Sequence, residues 1–469
     1  MLKRKAYNEM LAWKKSAHSQ ALLVAGARQI GKTFLIDEFA RNEYPAHIKI
    51  DFLNDADAVV LFGSAKNADD LIERLSLRAG KAISPGQTLI FFDEVQEVPN
   101  IITLSKYLIQ DGRFPVIMSG SMLGVELRHV QSLPVGYMHI LDMFPLDFAE
   151  FCKALGVPDT LMRAIRECFV TKKSVESALH DEFVRLFRLY ITIGGMPQAV
   201  QTYIDTKGDL GAVRDIQSDL LRLYREDIAK YAGKRALHVK AIFDAIPSQL
   251  NKENKRFELK TLGENSQFSR FANDFAWIVG ANSALKTNNV TEPKYMLART
   301  EEVNRFKLYQ SDTGMLMRQY PPNASLDVIA GARAVNFGGV YENIVAQELT
   351  SAHIPLRYYH SNRRGEVDFL AETRQSGVVA IEVKSGKDYK KHTALNTLLG
   401  VSDYGVESAF VLSEANVSVK ERAGKPVYYI PLYMLPFIVE DFASDASSVN
   451  DETLRKKLVV EPPDFSAWQ

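Results

Sequence analysis

Cysteine, net charge and long apolar segments are all scarce in this chain of 469 residues. Its 2 cysteines, Cys152 and Cys168, form no CxxC pair, which excludes a disulfide-rich scaffold and makes a zinc module an unsuitable interpretation. No apolar run approaches the ~18 residues that a membrane-spanning helix requires, and no apolar signal segment follows the basic residues 1–15. These absences predict a cytoplasmic protein that does not enter a membrane.

Charge of neither sign predominates in the chain, because 57 Lys and Arg residues balance 57 Asp and Glu residues. A net charge of zero gives no global reason to expect nucleic-acid binding, although it does not exclude a local basic patch. Hydrophobic residues make up 46% of the sequence, which is typical of globular domains with a core. The length suits about three domains.

The sequence does contain a motif for binding nucleotide phosphates. The stretch GARQIGKT, residues 26–33, matches GxxxxGK[ST], with apolar ALLVA before it and amphipathic FLIDEFARN after it. This strand–loop–helix order suits a loop whose backbone N–H groups surround the phosphates, with Lys32 on the β- and γ-phosphates and Thr33 on Mg²⁺. We therefore predict an ATP site formed by Gly26, Ala27, Arg28, Gln29, Ile30, Gly31, Lys32, Thr33 and Phe34.

A second carboxylate-bearing motif follows at QTLIFFDEVQEV, residues 87–98. Its apolar residues predict a buried strand that ends in Asp93 and Glu94. Asp93 would hold the Mg²⁺ shell, and Glu94 would be the catalytic residue that polarises the attacking water. The same pattern occurs at ordinary strand ends, but the phosphate loop upstream favours the catalytic interpretation.

Two further segments complete the predicted sheet. FPVIMSGS, residues 114–121, predicts a strand in which Ser119 or Ser121 contacts the γ-phosphate, with a simple Ser-Gly-Ser turn as the alternative. We assign Ser119 to the nucleotide site. Residues 137–151, YMHILDMFPLDFAEF, predict a fifth strand, a turn at Pro145 and an amphipathic helix.

The motifs GARQIGKT, FFDEVQEVPN, SGSMLG and FPLDFAEF, in this order, resemble a large family of poorly characterised prokaryotic AAA-type ATPases. Proteins of that family carry a C-terminal domain similar to restriction endonucleases. The resemblance continues through YITIGGMPQAV (190–200), YREDIAKY (224–231) and FKLYQSDTGML (306–316), and so covers nearly the whole chain.

The resemblance implies an α/β multidomain protein. We expect a P-loop AAA-type parallel-sheet core (1–150), a helical lid (151–232), a winged-helix segment (233–325), a PD-(D/E)XK nuclease-like α/β domain (335–445) and a loose tail (446–469). Many relatives carry Gly-Arg before the fifth strand, where this chain has Gly136-Tyr137. Arg128, Arg222 and Arg225 are candidate substitutes for that arginine, with surface or ion-pair roles as the alternative. AAA-type cores often complete their site with a neighbouring subunit's arginine, so a homo-oligomer is expected, and a slow monomer is the alternative.

The middle of the chain offers two weaker signals. The helical pattern of residues 151–232 breaks at Gly194-Gly195 and Pro197, where the turn would touch nucleotide or a neighbouring subunit, or would allow two helices to pack closely. Residues 233–260 hold seven basic and three acidic side chains, which fits either a phosphate-contacting face or a solvated one. Helices followed by strands at 290–310 suggest a winged helix.

The last third carries a nuclease-like pattern in residues 365–387, GEVDFLAETRQSGVVAIEVKSGK. Asp368 lies in one predicted strand, and Glu382 and Lys384 lie on one face of the next. In PD-(D/E)XK nucleases the two carboxylates bind Mg²⁺ or Mn²⁺ and the lysine orients the attacking water. Glu342, on a predicted helix at 339–352, matches an additional acidic metal ligand of such enzymes. The alternative is an inactive domain in which Lys384 neutralises the carboxylates.

Basic residues flank this pattern where a DNA or RNA backbone would lie, with a solvated loop as the alternative. They are His360, Arg363, Arg364, Lys387, Lys390, Lys391 and His392. Two functions thus remain in view: an ATP- and Mg²⁺-dependent nucleic-acid enzyme with a second metal in its last third, or an ATPase switch that binds a partner without cutting. The sequence leaves open the substrate, the pathway, the arginine finger and the oligomeric state.

Overall fold

The computed structural model describes residues 2–16, 20–80, 83–121, 136–264, 266–332, 337–373, 377–386 and 388–447. The chain divides into two compact units, each assembled from several segments. The first unit comprises Met1–Leu161, Arg185–Lys286 and Lys307–Gln347, and the second comprises Met162–Val184, Thr287–Phe306 and Glu348–Gln469. The linear domain boundaries expected from the sequence stay a prediction. Among the described residues, no helix is both long and apolar enough to cross a membrane.

A five-stranded parallel sheet forms the centre of the N-terminal part. Its strands are β1 (Ala21–Gly26), β2 (Ala46–Asp51), β3 (Thr88–Asp93), β4 (Val116–Gly120) and β5 (Met138–Met143), in the order β2-β3-β4-β1-β5. The three inner strands are buried at every residue. Continuous burial explains their uninterrupted apolar sequences, since helices cover both faces of a parallel sheet. The strands predicted within residues 114–121 and 137–151 are confirmed.

Helices α1 to α5 accompany this sheet: α1 (Ala6–Lys15), α2 (Lys32–Glu43), α3 (Ala56–Gly63), α4 (Ala68–Ala79) and α5 (Pro99–Asp111). Three phenylalanines fill the space between the sheet and the helices. The ring centroid of Phe92 lies 5.9 Å from that of Phe52 and 6.2 Å from that of Phe62. Their packing fixes the β3 strand, which carries Asp93 at its end.

A run of helices follows the sheet, as the sequence predicts for residues 151–232. They are α6 (Phe148–Ala154), α7 (Asp159–Thr171), α8 (Ser177–Ile193), α9 (Pro197–Asp205) and α10 (Leu210–Tyr231). The next elements are α11 (Ala236–Leu250), α12 (Phe268–Gly280), α13 (Thr313–Arg318), α14 (Pro322–Ala330) and α15 (Gly338–Ser351). Asp147 and Glu150 form a capping box that begins α6, which explains the turn in FPLDFAEF.

The break between α8 and α9 is a close-packed junction in the first unit. A Cβ on Gly194 would lie 2.4 Å from the carboxylate of Asp312, and one on Gly195 would lie 2.2 Å from the carbonyl oxygen of Leu146. The Gly195 N–H donates to Asp312 at 2.6 Å. These contacts support the close-packing interpretation of the Gly194-Gly195 turn.

The sequence correctly predicts strands after α12, but it misplaces the first of them. Strand β6 is Ala284–Val290, ahead of the predicted VTEP segment, and β7 is Glu301–Gln310. Residues 291–300 hold a short 3₁₀ helix, Leu297–Thr300, where Pro293 lacks an N–H for strand pairing. Strands β6 and β7 belong to a larger sheet, and a winged-helix fold stays a prediction.

That larger sheet has eight strands in the order β12-β13-β11-β10-β9-β8-β6-β7. The remaining strands are β8 (Arg357–Ser361), β9 (Gly365–Glu372), β10 (Val378–Val383), β11 (Val406–Ser413), β12 (Ser418–Arg422) and β13 (Lys425–Pro431), with α16 (Thr393–Leu399) and α17 (Leu435–Ser447). The predicted β9–β10 pair is antiparallel, with Ile381 opposite Phe369. The expected loose tail begins at residue 446, whereas α17 continues to Ser447, with apolar Ile438, Val439 and Phe442 buried along the helix. Residues 448–469 lie outside the described ranges.

Glu342 of α15 is buried in a network of cations in the first unit. Its carboxylate lies 2.7 Å from the Lys255 ammonium and 3.1 Å from the Lys307 ammonium, and it accepts a hydrogen bond from the Tyr309 hydroxyl at 2.9 Å. Burial alone would raise the pKa of Glu342, but the two lysines hold that pKa below its ordinary value. This carboxylate therefore stays ionised and neutralises lysines.

We expect Glu342→Gln to lower the free energy of unfolding by about 3–5 kcal/mol at pH 7, because the buried Lys307 and the half-buried Lys255 lose their counter-charge. Since the folded pKa of Glu342 is depressed, its stabilisation is complete above the ordinary carboxyl pKa and is lost as the pH falls below it. Urea unfolding should show a smaller difference between variant and wild type at pH 3.5 than at pH 7. Exposed Glu253→Gln is the matched control, and equal stabilities at pH 7 would contradict the prediction.

Candidate functional site

The loop between β1 and α2 has a backbone that only its glycines adopt easily. Gly26 has φ 142° and Gly31 has φ 87°, in the region that favours glycine. A Cβ on Gly26 would lie 2.3 Å from the carbonyl oxygen of Met143 at the end of β5. Gly31 caps the N-terminus of α2, whose first N–H groups therefore face the loop. The loop thus forms a concave backbone surface suited to an anion.

Lys32 is buried beneath this loop. Its ammonium donates to the carbonyl oxygens of Gly26 at 3.0 Å and Ala27 at 2.8 Å. Burial lowers the pKa of Lys32 to about 8, although Glu94 and Asp93 oppose that change. The ammonium is therefore held by weak neutral acceptors, and a phosphate oxygen would be a stronger partner.

Three side chains contact the carboxylate of Asp93 at the end of β3. The Thr33 hydroxyl lies 3.0 Å from each carboxylate oxygen, the Ser119 hydroxyl also donates to it, and the Lys49 ammonium lies 3.3 Å away. Burial raises the pKa of Asp93, while Ser119 and Lys49 oppose the rise. A hydroxyl beside a carboxylate is a donor set that fits Mg²⁺, which prefers hard oxygen ligands and takes further ones from phosphates.

Glu94 follows Asp93 in a left-handed conformation, with φ 56°. Its carboxylate accepts hydrogen bonds from Gln96 at 2.6 Å and from Ser121 at 3.1 Å, and its backbone N–H donates to the Ser119 hydroxyl at 3.4 Å. The two serines thus hold the two successive carboxylates in place. A Ser-Gly-Ser turn and a role at the nucleotide site do not exclude each other, because the two serine hydroxyls contact the carboxylates of Asp93 and Glu94.

Two adjoining pockets lie against the loop. A cleft of about 440 Å³ is lined by Arg28, Gly31, Lys32, Thr33, Asp93 and Glu94 among others. A more apolar pocket of about 270 Å³ is lined by Leu2, Arg4, Phe34, Leu35 and Pro197, and it shares Gly31 and Phe34 with the cleft. Phe34 is 57% exposed, which is unusual for an aromatic ring on an otherwise packed helix. A charged group and a flat apolar group would fit side by side here.

Arg4 ties the N-terminal segment to the loop. Its guanidinium donates to the carbonyl oxygens of Ile30 at 3.0 Å and Phe144 at 2.6 Å, and to Glu150 at 3.2 Å. No sequence pattern predicts this role, since Arg4 lies in the basic N-terminal stretch, residues 1–15. Only the folded chain brings residues 4, 30 and 144 together.

Helix α10 contacts the same loop through two residues. Asp227 forms an ion pair with Arg28, and the Tyr224 hydroxyl donates to the Arg28 carbonyl oxygen at 3.1 Å. Burial raises the pKa of Asp227, and Arg28 opposes that rise. The segment YREDIAKY, residues 224–231, was noted in the sequence only because it resembles the family, and neither contact was predicted. The three candidate substitute arginines fare differently: Arg222 pairs with Asp219 and Arg225 with Asp244, while Arg128 lies outside the described residues.

In the second unit, the predicted Asp368, Glu382 and Lys384 do come together. Asp368 accepts a hydrogen bond from the Val383 N–H at 2.8 Å, and the Lys384 ammonium lies 2.6 Å from the Glu382 carboxylate. Both carboxylates are buried. Within the described part of the chain, no group of three or more His, Cys, Asp or Glu side chains could hold a metal ion.

One residue of the last-third prediction, Glu342, is placed elsewhere than predicted. Glu342 belongs to the first unit and is engaged by Lys255 and Lys307, which does not suit a cation ligand. Lys387 lies outside the described residues. Of the remaining basic residues, Arg364 donates to the Tyr404 hydroxyl at 2.6 Å and His392 bonds the Tyr429 hydroxyl at 2.7 Å.

Comparisons with known proteins identify three segments. Residues 18–152 match an AAA domain family, and residues 184–323 and 337–433 match two domain families of unknown function, DUF8612 and DUF4143. A comparison with curated proteins gives no match. The chain therefore contains an AAA-type P-loop ATPase domain, and such domains bind and hydrolyse ATP. The restriction-endonuclease-like fold expected for the last third is not shown by these matches.

Solved structures give weaker similarities. A Walker-type ATPase of Pyrococcus abyssi is 15% identical, with 68% of this chain and 96% of that chain covered and a TM-score of 0.42. A RuvB variant of Thermotoga maritima is 15% identical, with 61% and 90% covered and a TM-score of 0.28. PCH-2 of C. elegans is 11% identical, with 46% and 70% covered and a TM-score of 0.26. At these TM-scores the similarities establish no shared activity.

We expect ATP binding to be coupled to protonation of Lys32. Phosphates should raise the lysine pKa from its value of about 8 in the empty site, so binding at pH 8 should take up about half a proton. ATP affinity should accordingly fall as the pH rises through 8. Titration calorimetry in two buffers of different ionisation enthalpy measures the uptake.

Lys32→Arg is the control for this coupling, because a guanidinium stays charged throughout the range. Proton uptake should disappear in that variant even if ATP binds more weakly. A wild-type protein that binds ATP at pH 8 without proton uptake would contradict the prediction.

Proposed function

We propose that this chain is a Mg²⁺-dependent ATPase that couples its nucleotide state to a nuclease-like, nucleic-acid-interacting second unit. The observation that carries the ATPase part is the Thr33 hydroxyl at 3.0 Å from both Asp93 oxygens, in a cleft that Lys32 and Glu94 also line. The residues of this cleft have the types and positions that the chemistry of phosphoryl transfer needs.

Each residue of the cleft takes a specific role in this proposal. The backbone from Gly26 to Thr33 surrounds the β-phosphate, and Lys32 leaves the loop carbonyls to bind the β- and γ-phosphates. Thr33 and Asp93 would hold Mg²⁺, which would neutralise charge on the phosphates. Glu94 orients the attacking water and accepts its proton, with Ser119 and Ser121 fixing the two carboxylates.

The apolar pocket is the proposed site of the adenine ring. It adjoins the phosphate cleft at Gly31 and Phe34, so one ligand can occupy both. The exposed Phe34 ring offers a stacking surface, and Leu2 and Pro197 supply apolar walls. Pro197 begins α9 directly after the Gly194-Gly195 turn, so nucleotide binding would also affect that turn.

The second unit is proposed to act on DNA or RNA. Buried Asp368 and Glu382 lie on adjacent strands, with Lys384 beside Glu382, and this arrangement favours a metal-assisted phosphodiesterase. The alternative is a switch that does not cut. The Lys384 ammonium at 2.6 Å already balances Glu382, and this contact favours a neutral cluster in a binding domain. A homo-oligomer stays part of the proposal.

We expect Lys32→Ala to weaken ATP binding by at least about 100-fold, because the phosphates lose their charged partner. Glu94→Gln should bind ATP normally and hydrolyse it at least about 100-fold more slowly, because the water loses its base. Fluorescent-nucleotide binding and phosphate release measure the two quantities separately.

Lys14→Ala and Glu97→Gln are the matched controls for these variants. Lys14 pairs with Glu43, and Glu97 binds Lys230, so neither belongs to the cleft lining. Both controls should retain wild-type binding and turnover. Unchanged ATP affinity in Lys32→Ala would refute the nucleotide site.

For the second unit we expect Mn²⁺- or Mg²⁺-dependent cleavage of labelled DNA or RNA that disappears in Asp368→Ala, because the carboxylate is a proposed metal ligand. Single- and double-stranded substrates are incubated with and without ATP. Asp388→Ala, whose carboxylate is exposed, is the control. Intact ATP hydrolysis without cutting under any condition would refute the nuclease and leave the non-cleaving switch.

A further inference from the structure

Arg28 is the charged residue of the phosphate loop that the proposed mechanism does not yet use. It lines the phosphate cleft together with Lys32, Thr33 and Glu94. Its guanidinium faces Asp227 of α10, which belongs to the same unit. Arginine is suited to binding phosphate oxygens through two parallel N–H groups. A guanidinium at this place is therefore within the region that the phosphates of ATP would enter.

The Arg28–Asp227 pair is partly desolvated and well tethered. The side chains are 29% and 10% exposed, respectively. The Tyr224 hydroxyl holds the Arg28 carbonyl oxygen at 3.1 Å, so α10 contacts both the side chain and the backbone of this loop residue. An ion pair of this kind keeps Arg28 in a defined position until a stronger anion competes for it.

The charges around Arg28 make such competition favourable. The Glu94 charge contributes to the raised pKa of Asp227, and Lys32 interacts with both Arg28 and Asp227. Glu94, Asp227, Lys32 and Arg28 thus interact electrostatically across the cleft wall. Because Asp227 carries one negative charge and a bound triphosphate carries several, a γ-phosphate in the cleft would compete with Asp227 for the guanidinium.

We propose that Arg28 is a catalytic residue of ATP hydrolysis supplied within the same chain: it binds the γ-phosphate, and Asp227 holds it when no γ-phosphate is present. This inference rests on the proposed ATPase function. Asp227 is a positioning residue in this arrangement, because it acts through Arg28. ADP lacks the γ-phosphate, so Arg28 returns to Asp227 in the ADP state, and α10 thereby responds to which nucleotide is bound.

In the hydrolysis step, the water oxygen forms a bond to the γ-phosphorus. The bond from that phosphorus to the bridging oxygen breaks, with its electron pair going to ADP, and the water proton passes to Glu94. The products are ADP and inorganic phosphate. Negative charge grows on the bridging oxygen and is spread over the γ-phosphate oxygens, where the Arg28 guanidinium stabilises it.

The test compares Arg28→Ala, Arg28→Lys and Asp227→Asn in the 469-residue chain, with Arg113→Ala as control because Arg113 is 41% exposed and pairs with Asp111 and Asp69. Arg28→Ala should lower kcat by at least about 100-fold. Its affinity for ADP should change by less than about 3-fold. Arg28→Lys should recover part of the kcat, and millimolar guanidinium should partly rescue Arg28→Ala. A purely structural role would give no such rescue.

Asp227→Asn frees Arg28 without removing it. This variant should therefore bind ATP more tightly relative to ADP, by about 10-fold in the ratio of the two dissociation constants, while retaining ADP binding. It also decides the outcome if Arg28→Ala fails to fold. An unchanged ratio in folded Asp227→Asn, or wild-type kcat in Arg28→Ala, would overturn the proposal. Loss of ATP binding in Lys32→Ala beside either result shows that the ATPase function stands and this inference alone fails.

Discussion

The carboxylate of Asp93 is the point on which the geometry of the nucleotide cleft depends. Thr33 contacts it from α2, Ser119 from β4 and Lys49 from β2. Three elements that are distant in the sequence therefore meet at one buried charge. Such a charge would be costly without these partners. The order β2-β3-β4-β1 makes the meeting possible, because parallel strands deliver their carboxyl ends to one edge of the sheet. The protein itself places a positive charge, the Lys49 ammonium, beside this carboxylate. The surroundings of Asp93 thus already accommodate a cation.

The helices that follow the sheet make two kinds of contact within the first unit. Gly194 and Gly195 let the α8–α9 turn approach Asp312, and burial raises the pKa of Asp312 to about 6 although backbone N–H groups oppose the rise. Asp227 reaches Arg28 from α10. The α8–α9 turn thus packs closely against Asp312 and Leu146, whereas α10 contacts the phosphate loop through an ion pair. The packed junction has one arrangement, whereas the ion pair can exchange its anion. Exchange of that anion for a nucleotide phosphate would act on α10 without disrupting the core.

The sequence predicted those features that depend on local pattern. Strand, glycine loop and helix around Lys32 follow from residues that are neighbours in the chain, and so does the β9–β10 pair. It did not predict contacts between distant segments, such as Arg4 with Ile30 or Arg28 with Asp227, because no periodicity encodes which helix packs on which loop. Strand β6 was misplaced for a related reason: its polar LKTNNV sequence is stabilised by neighbouring strands and not by its own propensity. The roles of the predicted site residues stay a prediction.

The two units treat their buried carboxylates differently, and this difference bears on what the second unit does. Asp93 faces an open cleft with a neutral hydroxyl at 3.0 Å, so a divalent cation can join it without displacing a charge other than Lys49. Glu382 instead has the Lys384 ammonium at 2.6 Å, and Asp368 accepts a backbone N–H. A metal entering beside Glu382 must therefore compete with the ammonium of Lys384, which lies just after the end of the same strand. Such competition lowers metal affinity but leaves the lysine next to any metal-bound water, where a nuclease would need it. Weak metal binding alone would thus not separate an inactive domain from an active one, because both follow from the same ion pair; only cleavage of a phosphodiester distinguishes them.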